Sequence, residues 1–302
     1  MSLRALFDVP APAKLNLFLH VVGQRSDGYH LLQSVFVLID WADTLHFERR
    51  GDGRLQRHDL GMALPADDLT LAAARLLQAE SGTPLGADIS IDKRVPWAAG
   101  LGGGSSDAAS TLLALNCLWG LAWPRERLLP LAARLGADVP FFVGGRNAFV
   151  EGIGERLTPL AVPRQWLAVV KPAAGLATQE VFTHPALVRD TPAVILSGFL
   201  ADAAKPGFWV DERGQAYGRN DLQPPAEERC PEVAEAAEWL SRHFGNSRMT
   251  GSGSAVFARN GMDDHPLVTW PADGQALAPG WVGRMCRSLD QHPLLDWPGW
   301  NG

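Results

Sequence analysis

With 302 residues, 46% of them hydrophobic and 20% charged, the chain is globular, and its length suggests about two domains rather than one core. A net charge of −6 and the lack of any Lys/Arg cluster argue against nucleic acid or a membrane surface as partner, so any phosphate binding must be local. Three widely spaced cysteines, Cys117, Cys230 and Cys286, exclude a disulfide framework and a cysteine metal site and point to a reducing compartment.

Met1 to Asp8 lacks an apolar run followed by a cleavage site, so no secretory signal is expected and the protein reads as soluble and cytoplasmic. Lys14 to Val22 alternates at period two and predicts a strand, with Phe18 and Val22 on the second face suggesting burial on both sides. Gln24 to Gly28 breaks it. Tyr29–Asp40 and Thr44–Arg50 predict two further strands, and Gly51-Asp52-Gly53 is a hairpin signal. A helix capped by Asp68 follows, with Leu69, Ala72, Ala73, Leu76 and Leu77 as its apolar stripe and Gly82 past its end. Ala87–Lys93 alternates again, and a helix opening near Ser106 carries Ala108, Leu112, Leu115 and Trp119 inward. The uncharged run from Ala108 to Pro124 is long enough to raise a membrane span, but Asn116, Gly120 and two hydroxyl residues make it a buried core helix. Pro124 suits the first turn of the next helix, which places Leu128, Leu129, Ala132 and Leu135 inward and stops at Gly136.

A domain break falls around Thr158–Pro163, dividing the chain into 1–160 and 161–302. Beyond it Trp166–Val170 predicts a strand, Glu232–Phe244 a helix ended by Gly245, and Ala255–Ala258 a strand entered from the small-residue loop Thr250–Ser254. Asp190–Gly218 has no clear pattern. Residues after Pro293 read as a loosely docked tail that Trp297 and Trp300 could anchor.

Between the strand at Ala87 and the helix near Ser106 lies Pro96-Trp-Ala-Ala-Gly-Leu-Gly-Gly-Gly-Ser-Ser-Asp107. Glycines let the backbone approach a phosphate closely, and the helix that follows adds the positive end of its dipole. The segment lacks the Lys-Ser/Thr pair of a P-loop and the spaced third glycine of a dinucleotide fingerprint. Taken alone, a glycine-rich turn serves tight packing as readily as binding.

Three segments together carry a resemblance. Pro12-Ala-Lys-Leu-Asn16, Gly100-Leu-Gly-Gly-Gly-Ser-Ser-Asp107 and Met249-Thr-Gly-Ser-Gly-Ser-Ala255 resemble, in order and separation, the three motifs of the galactokinase, homoserine kinase, mevalonate kinase and phosphomevalonate kinase superfamily. Within it, Ala13–Leu19, Gly28-Tyr-His30, Ile91–Pro96, Gly136-Ala-Asp-Val-Pro140 and Asn220-Asp-Leu222 look like the 4-diphosphocytidyl-2-C-methyl-D-erythritol kinase family. The resemblance implies an α+β, two-domain small-molecule kinase fold with the active site between the halves. It also implies transfer of a phosphoryl group from ATP, with Mg²⁺, to the 2-hydroxyl of a cytidine diphosphate-linked methylerythritol in non-mevalonate isoprenoid biosynthesis.

The roles it implies fall on particular residues. Asp138 would orient the hydroxyl and accept its proton, and Lys14 would set a positive charge beside it. Pro96, Ala99, Gly100, Leu101, Gly102, Gly103, Gly104, Ser105 and Ser106, with Gly251 and Ser252 from the last motif, would hold ATP. Ser105 or Ser106 would be the hydroxyl available to Mg²⁺, and Gly103 is expected to need a positive φ. Tyr29 and Phe182 would sandwich the cytosine, His30 would read its edge, and Asn16, Lys93 and Thr178 would contact the substrate. Two departures from the family pattern, Trp97-Ala98-Ala99 and Gln223-Pro-Pro225, leave Lys14 and Asp138 untouched. Another kinase of the superfamily would lack the Tyr29-His30 and Lys93 arrangement, and a non-catalytic nucleotide-binding protein would lack the acid–base pair.

Overall fold

The structure, a computed structural model, describes residues 3–66, 68–205, 208, 217–262, 264–271, 277–295 and 297. Its spine is a pair of long antiparallel strands, β1 (Ala5–Gln24) and β2 (His30–Arg50), with Lys14 opposite Leu38. Ala11 through Val21 are all buried, because β1 is covered on both faces. Pro12 has no N–H to give the ladder, and the register slips between Pro12 and Lys14. Lys14 N donates instead to Leu101 O at 2.9 Å, which ties the glycine loop to the spine.

The two strands expected at Tyr29–Asp40 and Thr44–Arg50 are one. Ala42 and Asp43 stay paired with Pro12 and Ala11, and Asp40 and Asp43 satisfy their carboxylates on backbone N–H groups of Arg287, Arg94 and Val95. The turn at Gly51–Gly53 also does not close a hairpin. It leads into β3 (Leu55–Asp59), α1 (Leu69–Ser81) and β4 (Gly86–Asp92), and β4 inserts between β2 and β3, antiparallel to the first and parallel to the second. A helix is the connection that lets β3 and β4 run parallel. Asp68 caps α1 as expected, Oδ1 accepting from Leu71 N at 3.0 Å.

The helix α2 (Gly103–Leu118) opens three residues before Ser106, because Gly102, at φ +70°, takes the N-cap position and leaves Gly103 helical. It is buried nearly all round, from Ser106 to Asn116, as a core helix should be, and packs among α1, β1 and α4 (Val139–Gly144). No helix among the described residues is long and apolar enough to cross a membrane. Pro124 is the N-cap of α3 (Arg125–Leu135) rather than part of its first turn, its ψ of 158° being extended. With β5 (Ala148–Gly152) and β6 (Arg156–Pro159) the first sheet is complete, in the order β3-β4-β2-β5-β6 with β1 also on β2.

The second sheet, ordered β10-β7-β9-β8, comprises β7 (Trp166–Lys171), β8 (Arg248–Met249), β9 (Val256–Arg259) and β10 (Val282–Arg287). Its helices are α5 (Thr178–Phe182), α6 (Leu196–Ala203), α7 (Gln223–Arg229) and α8 (Pro231–Phe244). In α8, Val233, Ala236, Ala237, Leu240 and Phe244 are buried, the face that the 3.6-residue spacing predicts. α6 lies inside the stretch that shows no sequence pattern. Pro224 and Pro225 sit in the first turn of α7, where a missing N–H costs nothing. Where it is described, the tail is docked rather than loose: Leu294 is fully buried in the first core, Trp297 packs against that core, and Arg125 donates to Leu294 O at 3.1 Å. Trp300 lies outside the described residues.

Candidate active site

One cleft, of about 310 Å³, is lined by Lys14, Asn16, Gly100, Gly102, Asp138, Gly251 and Ser252 among others, and so brings together all three motifs. Lys14 is 4% exposed, and its ammonium donates to Asn16 Oδ1 at 2.7 Å and stands 4.5 Å from the centre of the Phe36 ring. Asp138 Oδ2 is 3.5 Å from it. Although Asp138 is the N-cap of α4, its side chain makes no capping hydrogen bond, so the carboxylate keeps its lone pairs for the cleft. Asn16 is held by Ser34 Oγ at 2.9 Å and, through its backbone N–H, by Thr250 Oγ1 at 2.8 Å.

The two small-residue loops meet backbone to backbone. A Cβ on Gly100, whose φ is +73°, would stand 2.5 Å from Thr250 O, and one on Gly251 would stand 3.1 Å from Gly100 O. Asn220 holds the second loop by donating to Met249 O and Gly251 O, both at 2.8 Å. Ala99 and Leu101 are buried and give their carbonyls to Ala255 N and Lys14 N, so they fasten the loop, and Pro96 stands outside the cleft wall. Gly103, Gly104 and Ser105, at the start of α2, have no carbonyl to reach within the helix and leave their N–H groups for an anion.

A second cavity, of about 480 Å³, contains Gly28, Tyr29, His30 and Gln179 and shares Leu32, Ile153, Thr178 and Phe182 with the first. The two form one groove. Here the His30 ring lies 5.1 Å from Phe182 at 35°, and Tyr29 is 60% exposed beside it. Thr178 Oγ1 and Ser252 Oγ are hydrogen-bonded at 2.8 Å, joining the two ends across the groove.

Residues 68–146 match the GHMP kinases N terminal domain and residues 211–259 the GHMP kinases C terminal domain. A protein of Methylibium petroleiphilum named 4-diphosphocytidyl-2-C-methyl-D-erythritol kinase is 64% identical over 96% of each chain, and one of the same name from Polaromonas naphthalenivorans is 53% identical over 95% of this chain and 94% of that protein. The chain belongs to the 4-diphosphocytidyl-2-C-methyl-D-erythritol kinase family. A crystal structure of a 4-(cytidine 5'-diphospho)-2C-methyl-D-erythritol kinase superposes with a TM-score of 0.69, at 37% identity over 84% of this chain and 88% of that one. Methanococcus jannaschii mevalonate kinase, at 12% identity over 95% of this chain and 99% of that one, shares the fold with a TM-score of 0.63. The expected α+β small-molecule kinase fold is therefore borne out.

For a chain of the 4-diphosphocytidyl-2-C-methyl-D-erythritol kinase family, Lys93 is placed unexpectedly. It lies outside both cavities, 4% exposed at its side chain, ion-paired to Asp43 and to Asp107 Oδ2 at 2.6 Å. Both carboxylates claim its ammonium, so it is a buried cation under the loop rather than a wall of the substrate cleft. Gly103 too departs from expectation. Its backbone is helical, and an added Cβ would meet Val95 Cγ1 at 3.1 Å and Lys93 Nζ at 3.4 Å, so the positive φ belongs to Gly100 and Gly102.

Burial pushes the Asp107 carboxyl up to about 8, outweighing the attraction of an ammonium that Asp43 shares. A carboxyl raised in this way from 3.8 stabilises the fold when protonated. That contribution is complete below the ordinary value, declines as the pH rises and is gone once the pH passes about 8. Asp107→Asn cannot ionise, so its thermal melts between about pH 5 and pH 9 should lose less stability than the wild type's. Parallel pH profiles for the two proteins would show that Asp107 is ionised throughout.

Two residues of the cleft and its supports, Ile153 and Asn220, are not among the site residues that the sequence implies. Asn220 lies in the segment Asn220-Asp-Leu222, the one signal that marks it as a loop anchor. Ile153 had no signal.

Proposed function

We infer that the chain transfers the γ-phosphoryl group of ATP to the 2-hydroxyl of 4-diphosphocytidyl-2-C-methyl-D-erythritol. One observation carries this reading: a single groove has the Lys14–Asp138 pair and two glycine loops at one end and the His30–Phe182 rings at the other. The groove thus pairs a phosphate site with an aromatic site suited to a base, as a nucleotide-linked acceptor requires. The test is a phosphate-transfer assay with ATP over a panel of alcohols containing the cytidylylated methylerythritol, methylerythritol 4-phosphate, mevalonate and homoserine. Transfer to the first alone supports the reading, and preference for mevalonate or homoserine would overturn it.

A tertiary hydroxyl is hindered and weakly nucleophilic, so positioning and charge neutralisation do most of the work. Asp138 orients the hydroxyl and takes its proton as the oxygen bonds to the γ-phosphorus and the bridging oxygen leaves with ADP. Lys14, fixed by Asn16, offsets charge on the moving phosphoryl group. The N–H groups at the start of α2 and the loop at Gly251 and Ser252 cradle the remaining phosphates.

Mg²⁺ would be held chiefly by phosphate oxygens and water, since the described residues contain no group of three or more His, Cys, Asp or Glu side chains able to hold a metal. Ser106 fits it: its Oγ, buried in the first turn of α2, has no hydrogen-bond partner, and half-buried Ser105 adjoins it. When bound, the ion supplies charge neutralisation at the phosphates. The division into 1–160 and 161–302 is supported by the gap between the end of β6 at Pro159 and the start of β7 at Trp166, although the tail at Leu294 and Trp297 crosses it to pack in the first core. A cytoplasmic site of action is supported by three cysteines that form no disulfide.

Base binding gives a separate test. Tyr29→Ala and Phe182→Ala should each cost about 1–3 kcal/mol of substrate binding, the range for a base on an aromatic ring, and leave the KM for ATP nearly unchanged. Wild-type enzyme that turned over methylerythritol 4-phosphate as well as its cytidylylated form would remove the base pocket from the reading.

A further inference from the structure

Behind the base end of the groove stands an arginine whose guanidinium bonds two residues of the pocket wall and the loop beside them. Arg189, half-buried in the loop after α5, donates from Nη1 to Leu187 O at 2.9 Å, and from Nη2 to Phe182 O at 3.2 Å and His184 O at 3.0 Å. Its Nε donates to His30 Nε2 at 3.1 Å. None of these acceptors is a carboxylate. The arginine thus grips two residues of the base site, one by its backbone and one by its ring.

An arginine has donors only, so the imidazole nitrogen facing it must be the acceptor. A neutral imidazole that accepts at Nε2 carries its proton on Nδ1. Burial, and then the Arg189 charge, hold His30 below its ordinary value of 6.5, which keeps the ring neutral at physiological pH. Nδ1 makes no hydrogen bond to any described residue, and His30 lines the cavity.

We propose that Arg189 is a positioning residue that fixes His30 as the Nδ1–H tautomer and thereby makes the pocket select a cytosine base over a uracil. The proposal rests on the function inferred above. Cytosine presents an acceptor at N3 and uracil an N–H. A fixed Nδ1–H pairs with the first and opposes the second, setting two donors against each other, and such mismatches are rejected strongly. Freed of Arg189, the ring can move its proton to Nε2 and accept from uracil. The discrimination then fades.

The test compares wild type with Arg189→Met, using ¹⁵N-histidine NMR for the His30 tautomer and competition by CMP and UMP for base selectivity. Wild type should show Nδ1–H and bind CMP at least roughly a hundredfold better than UMP. In Arg189→Met the tautomers should mix, the ratio should fall below about tenfold, and the substrate KM should rise more than kcat falls, with the KM for ATP unmoved. Arg189→Lys, which keeps one donor for His30 Nε2, should recover part of the ratio and of the Nδ1–H signal, and it serves if the methionine variant does not fold. An Nε2–H ring in wild type, or full selectivity retained in Arg189→Met, would overturn the role of Arg189 and leave the kinase reading standing. Wild type that bound CMP and UMP alike would overturn both this proposal and the base pocket.

Discussion

Asp138→Asn should lower turnover by about two to four powers of ten while ATP still binds, because the amide keeps the shape of the carboxylate and loses the proton acceptor. The structure sharpens this expectation. An aspartate at a helix start is usually spent on capping, but Asp138 makes no capping hydrogen bond, and its side chain faces the cleft with Lys14 3.5 Å away. Its mutation therefore removes charge from the cleft without removing a hydrogen bond from the fold. Pro140, in the first turn of α4, and the buried Phe141 and Phe142 keep the backbone there stiff. Steady-state kinetics with an independent ATP titration checks the result. Turnover within roughly threefold of wild type would fall far short of the general-base range and make Asp138 a structural residue.

What the sequence discloses here follows how local each signal is. The Asp68 cap, the buried stripe of α8 and the core helix α2 are written in neighbouring residues, and the structure matches them. The turn at Gly51–Gly53 is also local, but the strand that fills the space beside β2 comes from beyond α1, so a correct turn signal suggests a wrong pairing. Lys93 fails for the same reason. Its partners Asp43 and Asp107 lie 50 and 14 positions away, and only the fold reveals that its charge is already matched. Lys14 and Asp138 are legible solely through the family resemblance, since nothing in their separate surroundings implies that they meet. Arg189 borders the stretch without pattern, and its value lies in the orientation of a guanidinium that no spacing encodes.

Gly100→Val should abolish most nucleotide binding, raising the KM for ATP at least roughly a hundredfold, because strain and collision act at the same atom. At φ +73° a β-branched residue is strained by about 1–3 kcal/mol, whatever the space around it. Space is missing as well. The new Cβ would stand 2.5 Å from Thr250 O and the site is closed by Gly253, so relief requires the two glycine loops to part. The obstructing atoms are backbone, which cannot swing aside as a side chain would. Thr250 Oγ1 also holds the Asn16 N–H, and Asn16 Oδ1 holds the Lys14 ammonium, so parting the loops disturbs Lys14 too. Gly104→Ala, in the first turn of α2, gives the contrast within the same motif: its φ is not positive, and its Cβ would meet only Leu69 Cδ1 at 3.9 Å. It should lose far less ATP affinity than Gly100→Val. Calorimetric titration with ATP, beside circular dichroism to establish that both variants fold, separates the two. Equal affinity in folded Gly100→Val and wild type would mean that the nucleotide binds away from the junction of the two loops.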